Sequence, residues 1–254
     1  MKALVALGTT LVLFILVPLI VTFISVNPKT FEGIYSNDYL RSQLLGAIVT
    51  TFEASAIAIL ILLITGVPIA YVLSRKDFPL KNFVESVLDL PMVIPHSVAG
   101  IMILLAYASG PLGGVLRQIS LNIVDSIYGT IAVMVFVGAP FLVNTVRRGF
   151  DSIPRSAELV ARSLGASKYQ TFLKISLPMV KRNILTGTIL AWARGISEVG
   201  ALLIVAYNPM TLSVLVYDWY TTLGLNYALS VTLIMLILSI VVFIALRRLE
   251  GGEL

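Results

Sequence analysis

The side chains best suited to chemistry in this sequence are Arg194 and Glu198, which lie four residues apart inside a strongly apolar stretch. Residues at positions i and i+4 lie one above the other on a helix, so this guanidinium and this carboxylate are placed to form an ion pair. Pairing lowers the large cost of placing each charge in hydrocarbon. Neither side chain is expected to face acyl chains. Two roles stay open: a translocation pathway or dimer interface, or a buried pair that fixes the packing of the helices.

Four further residues complete the candidate translocation pathway or dimer interface. Ser197 and Gly200 are small enough to let neighbouring helices approach closely. His96, the single histidine, follows Pro95 in a proline-rich apolar segment where freed backbone groups bend a helix. We consider a hydrogen-bond donor near the pore for His96, but favour packing or helix capping because no partner is evident. Asp89 is expected to cap the start of the same span.

The residue inventory argues against catalysis in this chain. It has no cysteine and one histidine, so thiolate chemistry and a multi-histidine metal site are excluded. Its thirteen acidic residues lie mainly in predicted loops and form no cluster of acids, bases or ligands, so we predict no catalytic residues and no metal site. No Gly-x4-Gly-Lys-Ser/Thr phosphate loop is present, so ATP and Mg²⁺ would have to be bound by another polypeptide.

The elements that position these residues are predicted to be membrane helices. The chain has 254 residues, 58% hydrophobic and 12% charged, whereas soluble domains carry about 25% charged residues. About 20 apolar helical residues cross a bilayer. Six stretches reach that length, and the predicted fold is an all-α integral membrane protein with spans near 3–26, 44–74, 88–109, 127–147, 183–206 and 228–247.

The distribution of basic residues predicts the orientation. Eight of the eighteen Lys and Arg residues lie between 147 and 182. With the N-terminus inside, most of the others also fall on inner loops, and only Lys29, Arg41 and Arg117 lie outside. By the positive-inside rule, both termini are cytoplasmic in a multi-pass protein of the cell membrane. This bias explains the net charge of +5 without nucleic acid.

The long loop 147–182 has the pattern of a helix with one apolar face. Its apolar positions recur at helical spacing, while charged residues fall mostly on the other face. Gly165 provides a helix stop, and a second short helix is predicted from 167 to 176. The apolar positions are Ile153, Ala157, Val160, Ala161 and Leu164.

This loop resembles the EAA loop of permease subunits of ABC importers. The spacing from Gly165 to Ile-x-Leu-Pro matches, as does the second alanine of the motif. Leu159 and Val160 replace the motif's Glu and first Ala, and Glu158 is displaced by one position. The coupling residues that the resemblance implies are Glu158, Ala161, Arg162, Gly165, Ile175, Leu177 and Pro178.

In that family the loop forms cytoplasmic coupling helices that dock into a separate ATP-binding subunit. The resemblance therefore implies a type I ABC importer permease fold and a complex with two ATP-binding cassette subunits, which bind ATP and Mg²⁺. It also implies a second copy of this chain, because family members dimerise. An alternative is an amphipathic helix lying on the lipid of the inner leaflet.

Two further segments resemble molybdate/tungstate permeases, especially archaeal ones. They are Asp89-Leu-Pro-Met-Val-Ile-Pro-His-Ser-Val-Ala-Gly100, and Ala191-Trp-Ala-Arg-Gly-Ile-Ser-Glu-Val-Gly-Ala201 with the Ile-Val-Ala-Tyr-Asn-Pro that follows. This likeness implies import of a tetrahedral oxyanion delivered by an external binding protein. Sulfate/thiosulfate permeases have a looser version of the pattern, so sulfate is the alternative ion.

Other transport classes fit less well. A self-contained secondary anion transporter usually shows inverted repeats and several midplane charges, whereas this sequence offers one intramembrane pair. We predict an N-terminal helix and external loop over 1–39, the transmembrane domain over 40–248, and a short cytoplasmic tail over 249–254.

Overall fold

In a computed structural model that describes residues 1–249, every regular element is helical, as the composition predicts. The predicted tail lies outside the described residues from residue 250 onward. The helices are α1 Lys2–Ser25, α2 Pro28–Ser36, α3 Asp38–Arg75, α4 Lys81–Val93, α5 His96–Leu104, α6 Pro111–Gln118, α7 Ile127–Ser152, α8 Arg155–Ser163, α9 Lys168–Thr171, α10 Leu177–Met179, α11 Lys181–Ile196, α12 Leu202–Val205, α13 Leu212–Thr222 and α14 Leu225–Leu249. Two π-helical turns, Leu105–Ser109 and Phe172–Ser176, extend α5 and α9.

Helix α7 is the centre of the bundle, and α3 and α11 pack along it. Small residues permit this close approach. A Cβ atom at Gly66 of α3 would lie 2.7 Å from Cδ2 of Leu142, and one at Gly187 of α11 would lie 3.2 Å from the Leu142 carbonyl oxygen. Leu142, Val146 and Phe150 are completely buried between these helices. The tight packing makes α3, α7 and α11 one rigid frame.

The predicted number of six spans is not confirmed. Within residues 1–249, four helices are long and apolar enough to cross a membrane, and α4 with the extended α5 makes a fifth if the bent pair counts as one span. The four are Leu4–Ser25, Asp38–Arg75, Ile127–Ser152 and Leu225–Arg248.

The predicted span over 88–109 is divided into two helices at the proline-rich segment. Helices α4 and α5 meet there at an angle of 118°. The residue before a proline is driven out of the α region, and Ile94 has an extended backbone with ψ of 133°. Proline also lacks the N–H that would continue the helix. The resulting elbow makes His96 the first residue of α5.

The predicted span 183–206 is also interrupted. Helix α11 ends at Ile196 after 16 residues, and the four-residue α12 begins at Leu202. In the break, Oε1 of Glu198 accepts a hydrogen bond from the Ala201 backbone N–H at 2.9 Å. A carboxylate thus satisfies a backbone group that the helix no longer pairs.

The two short helices predicted in the long loop are confirmed as α8 and α9 with its π-helical turn. Gly165 ends α8 with a φ of +92°, a left-handed conformation that glycine adopts without strain. Ser167 and Gln170 then form a capping box that starts α9. The loop is therefore a defined pair of helices.

Candidate functional site

Glu158 of α8 is the centre of a polar cluster that holds the loop against the bundle. Its Oε1 lies 2.8 Å from Nε of Arg75 and accepts a 2.9 Å hydrogen bond from the Ser176 hydroxyl. Its Oε2 accepts a 3.2 Å hydrogen bond from the Tyr71 hydroxyl. The side chain of Glu158 is only 12% exposed. It therefore faces the bundle and anchors α8, and its carboxylate is not on the outer surface of the loop.

The partners of Glu158 are held by the end of α3 and by aromatic packing. The Tyr71 ring contacts Phe150 of α7 and Phe172 of the π-helical turn, with ring centroids 5.1 Å and 4.8 Å apart. Arg75 also donates to the backbone carbonyl of Ile153, just after α7. The cluster consequently joins α3, α7, α8 and the π-helical turn in one anchor.

The remaining predicted coupling residues fall into two groups. Arg162, Gly165 and Pro178 are exposed, whereas Ala161, Ile175 and Leu177 are half-buried. The apolar face of α8 is divided in the same way, since Ile153 is buried while Leu164 is 84% exposed. The inner part of the loop thus packs on the bundle, and its outer part offers an apolar surface that includes Leu159 and Val160.

A polar seam connects α7 with α4. The Asn144 amide donates to Oδ1 of Asp89 at 2.6 Å, and the Arg147 guanidinium lies 2.9 Å from Oε1 of Glu85. The expectation that Asp89 caps a helix start is wrong, because it lies inside α4 and binds α7. Asp89 and Glu85 therefore attach α4 to α7 of the frame.

A second cluster forms where α5 meets the break after α11. The Arg194 guanidinium lies 2.8 Å from Oε2 of Glu198, which confirms the predicted ion pair. Nδ1 of His96 lies 2.5 Å from the same oxygen and 2.8 Å from the guanidinium nitrogen of Arg194. The Ser213 hydroxyl donates to the Glu198 backbone carbonyl at 2.7 Å. Glu198 is completely buried, whereas the His96 side chain is 52% exposed.

The chemistry of the two charged groups fixes one donor and one acceptor. Arginine carries only donors and a carboxylate offers oxygen acceptors, so Arg194 donates to Oε2 of Glu198. Nδ1 of His96 lies beside both groups, and it donates to Glu198 or accepts from Arg194 according to its tautomer.

The structure brings most of the predicted pathway residues together. A Cβ atom at Gly200 would lie 2.8 Å from Cβ of His96, so this glycine permits the contact. Pro95 precedes α5 at the elbow, and the exposed Ser197 donates to the Arg194 carbonyl at 3.1 Å. His96 has a partner that the sequence does not reveal, because its half-exposed ring contacts Glu198, and the expected helix-cap hydrogen bond is absent from α5.

Three anchor residues were not predicted from the sequence, namely Tyr71, Arg75 and Ser176. Arg75 is 83 positions and Tyr71 is 87 positions from Glu158, so no helical spacing relates them. An arginine at the end of an apolar run is also the usual signature of a helix end at the membrane surface. Among residues 1–249, no group of three or more potential metal ligands occurs.

Comparisons with known proteins agree with this architecture. Residues 63–252 match the family described as binding-protein-dependent transport system inner membrane component. The molybdate/tungstate transport system permease protein WtpB of Thermococcus kodakarensis is 43% identical over 254 residues, which cover 98% of this chain and 95% of the relative. The protein of the same name from Methanocaldococcus jannaschii is 44% identical over 242 residues, which cover 94% and 93%.

A solved structure shares the fold. A chain of a bacterial alginate ABC transporter, crystallised in complex with an alginate-pentasaccharide-bound periplasmic protein, aligns with a TM-score of 0.76 and 17% identity. The alignment covers 100% of this chain and 96% of that chain. The matched family, the two relatives and the membrane helices lead to one identification. This chain belongs to the binding-protein-dependent transport system inner membrane components and is a multi-pass, non-catalytic permease subunit of an ABC importer.

Proposed function

We propose that this permease subunit imports molybdate or tungstate, delivered by an external binding protein. The observation that carries this proposal is the 43% identity, over 98% of the chain, to a protein named for molybdate/tungstate transport. The His96 cluster supports it, since it places a half-exposed histidine and a buried ion pair at a break between apolar helices. Sulfate has the same shape and charge and is the competing ion.

The loop helices are the proposed docking element for an ATP-binding cassette subunit. The outer face of α8 presents Leu159, Val160 and Leu164, each more than half exposed. The inner face is fixed to α3 by the Glu158–Arg75 ion pair. A rigid apolar projection anchored in this way suits the transmission of movement from a partner, which would bind the ATP and Mg²⁺. If α8 instead lay on the lipid surface, its binding would not require the ion pair between Glu158 and Arg75.

The complete importer is proposed to contain two copies of this chain and two ATP-binding subunits. Helix α1 supports a partner copy, because none of the side chains in its apolar window is buried inside the chain. The bias of Lys and Arg towards the loop side supports cytoplasmic N- and C-termini in the cell membrane. The division into segments 1–39, 40–248 and 249–254 is likewise a proposal.

The coupling role is tested with Gly165→Asp. This change puts a charged side chain on the outer surface of the loop, where nothing lies within 4 Å of the new Cβ. We expect ATP-driven uptake to be abolished while the protein still inserts and binds its partner copy, because the apolar docking surface acquires a charge. The measurement is uptake of radiolabelled molybdate into vesicles containing the complete importer.

A matched control exists in Gly224→Asp. Gly224 has a φ of +93° and open space around it, but it lies between α13 and α14, outside the loop. An aspartate at position 224 therefore imposes the same backbone strain without changing the docking surface. Normal uptake by Gly165→Asp, or equal losses in both variants, would contradict the coupling role.

The transported ion is tested separately, with the same vesicles and the binding protein present. We expect unlabelled molybdate and tungstate to compete with labelled molybdate at concentrations at least tenfold lower than sulfate. A stronger effect of sulfate would assign the importer to that ion. Since the assay uses the unmodified protein, its outcome does not depend on the coupling role of Gly165.

A further inference from the structure

A cavity of about 510 Å³ lies between the end of α3 and the loop helices α8 and α9. The cavity shares Leu159 with the apolar docking surface, whereas Val160 and Leu164 are not part of its lining. A volume of this size falls in the range of small-ligand sites. Six charged residues line it, namely Arg75, Lys76, Arg155, Glu158, Arg162 and Lys168.

The charges in this cavity are unbalanced. Glu158 neutralises Arg75 at 2.8 Å. Lys76, Arg155, Arg162 and Lys168 are exposed, and within residues 1–249 their side chains make no ion pair with an acid. Four like charges around one cavity repel one another, and a bound anion relieves that repulsion. The electrostatics therefore favour an anionic occupant.

The surroundings of the cavity indicate which anion fits. Lys76 directly follows α3, which is long and apolar enough to cross a membrane, so the cavity lies beyond the loop-side end of that helix. Its wall also includes the apolar side chains of Val72 and Leu159 and the hydroxyl-bearing Tyr71. Arginine binds phosphate oxygens through paired N–H donors, and basic pockets beside the cytoplasmic ends of membrane helices bind lipid headgroups. We propose that the cavity binds the phosphate group of an anionic phospholipid headgroup.

The proposal is tested by binding, independently of uptake and of the transported ion. The complete importer is placed in nanodiscs of phosphatidylcholine, and phosphatidylglycerol is added at increasing fractions while native mass spectrometry counts the lipids retained. The test variant is Lys76→Gln with Lys168→Gln. Each removed cation is expected to lower the affinity for phosphatidylglycerol about fivefold.

The matched control is Lys181→Gln with Arg182→Gln, which removes the same charge from the same loop outside the cavity. We expect this variant to bind phosphatidylglycerol as the wild type does. Equal losses in the two double variants would mean a general surface attraction and would overturn the site. Retention by the Lys76/Lys168 variant at the wild-type level would overturn it as well.

The source of the phosphate group is resolved in a second arm. Inorganic phosphate is added to the importer in phosphatidylcholine alone, and thermal unfolding is followed. If the site binds a lipid headgroup, we expect no shift of the unfolding temperature up to millimolar phosphate. A lipid is already concentrated at the membrane, whereas free phosphate is not. A shift that disappears in the Lys76/Lys168 variant would keep the phosphate chemistry but overturn the lipid as its source.

Discussion

Two carboxylates, the mostly buried Glu158 and the completely buried Glu198, pair with arginines in different settings. Glu158 forms an ion pair with Arg75 and accepts hydrogen bonds from Tyr71 and Ser176. These partners lie on packed elements, and the Arg75 side chain is only 9% exposed. Glu198 lies in a break of the helical backbone, where one of its three partners is a half-exposed histidine. Both satisfy the rule that a buried charge needs a partner.

The difference concerns what each cluster is able to do. Every group around Glu158 is held by α3, α7 or the π-helical turn, so this cluster fixes α8 to the frame. The cluster around Glu198 joins the start of α5 to the end of α11, and one edge of His96 is open. Breaking that contact would remove one of the links that hold α5, which also packs on α12, without dismantling the α3–α7–α11 frame. We therefore expect anchoring at Glu158 and adjustment at Glu198.

The largest effect is expected from Glu198→Ala. It leaves the Arg194 guanidinium without its carboxylate and the Ala201 N–H without its acceptor. Removing one member of a buried pair costs roughly 3–5 kcal/mol. The free energy of unfolding in detergent, measured by denaturant titration, should fall by that amount.

The control for this change removes both charges at once. In Glu198→Gln with Arg194→Gln no uncompensated ion remains, so most of the stability should return. If Glu198→Ala has the same free energy of unfolding as the wild type, the contacts of Glu198 do not stabilise the protein, and Glu198 does not differ from Glu158 in the way described.

A smaller loss of stability but a large loss of coupling is expected from Glu158→Ala. About 2 kcal/mol follows from losing hydrogen bonds to a charged group at a site that water partly reaches. Because α8 is then no longer fixed to α3, ATP hydrolysis should continue while uptake per ATP falls. Hydrolysis and uptake are measured in the same vesicles.

Asp77→Ala is the matched control, since it also removes a carboxylate near the end of α3. Asp77 pairs with Lys81 on the surface and is 90% exposed, and such pairs contribute little. We expect no change in uptake per ATP. An equal loss of uptake in Asp77→Ala and Glu158→Ala would show that net charge, not anchoring, is responsible.

The contrast also explains which parts of the molecule are predictable. The Arg194–Glu198 pair follows from its spacing of four on one helix, and Gly165 follows from helix-stop chemistry. The Arg75–Glu158 pair joins positions 83 residues apart, and only the tertiary fold brings them together. Hydropathy averages over a window, so it does not register that Pro95 and the Ser197–Ala201 segment interrupt apolar stretches. Local chemistry is readable in this sequence, and long-range pairing is not.

The smallest effect on stability is expected at His96, the open edge of the Glu198 cluster. In His96→Leu the carboxylate keeps Arg194 and the Ala201 N–H, so about 1 kcal/mol is lost, as for one hydrogen bond. Uptake should fall more than stability does, because the exposed edge of the ring and the contact between α5 and Glu198 vanish together. Denaturant titration and vesicle uptake measure the two effects.

His96→Asn separates these contributions, because an asparagine amide can replace Nδ1 as the donor to Glu198 while removing the far ring nitrogen. Recovery of both stability and uptake would mean that the contact to Glu198 is what transport requires. Recovery of stability alone would assign the lost uptake to the exposed edge of the ring, where an anion would pass. Full uptake in His96→Leu would contradict both roles and would leave Glu198 a structural carboxylate of the same kind as Glu158.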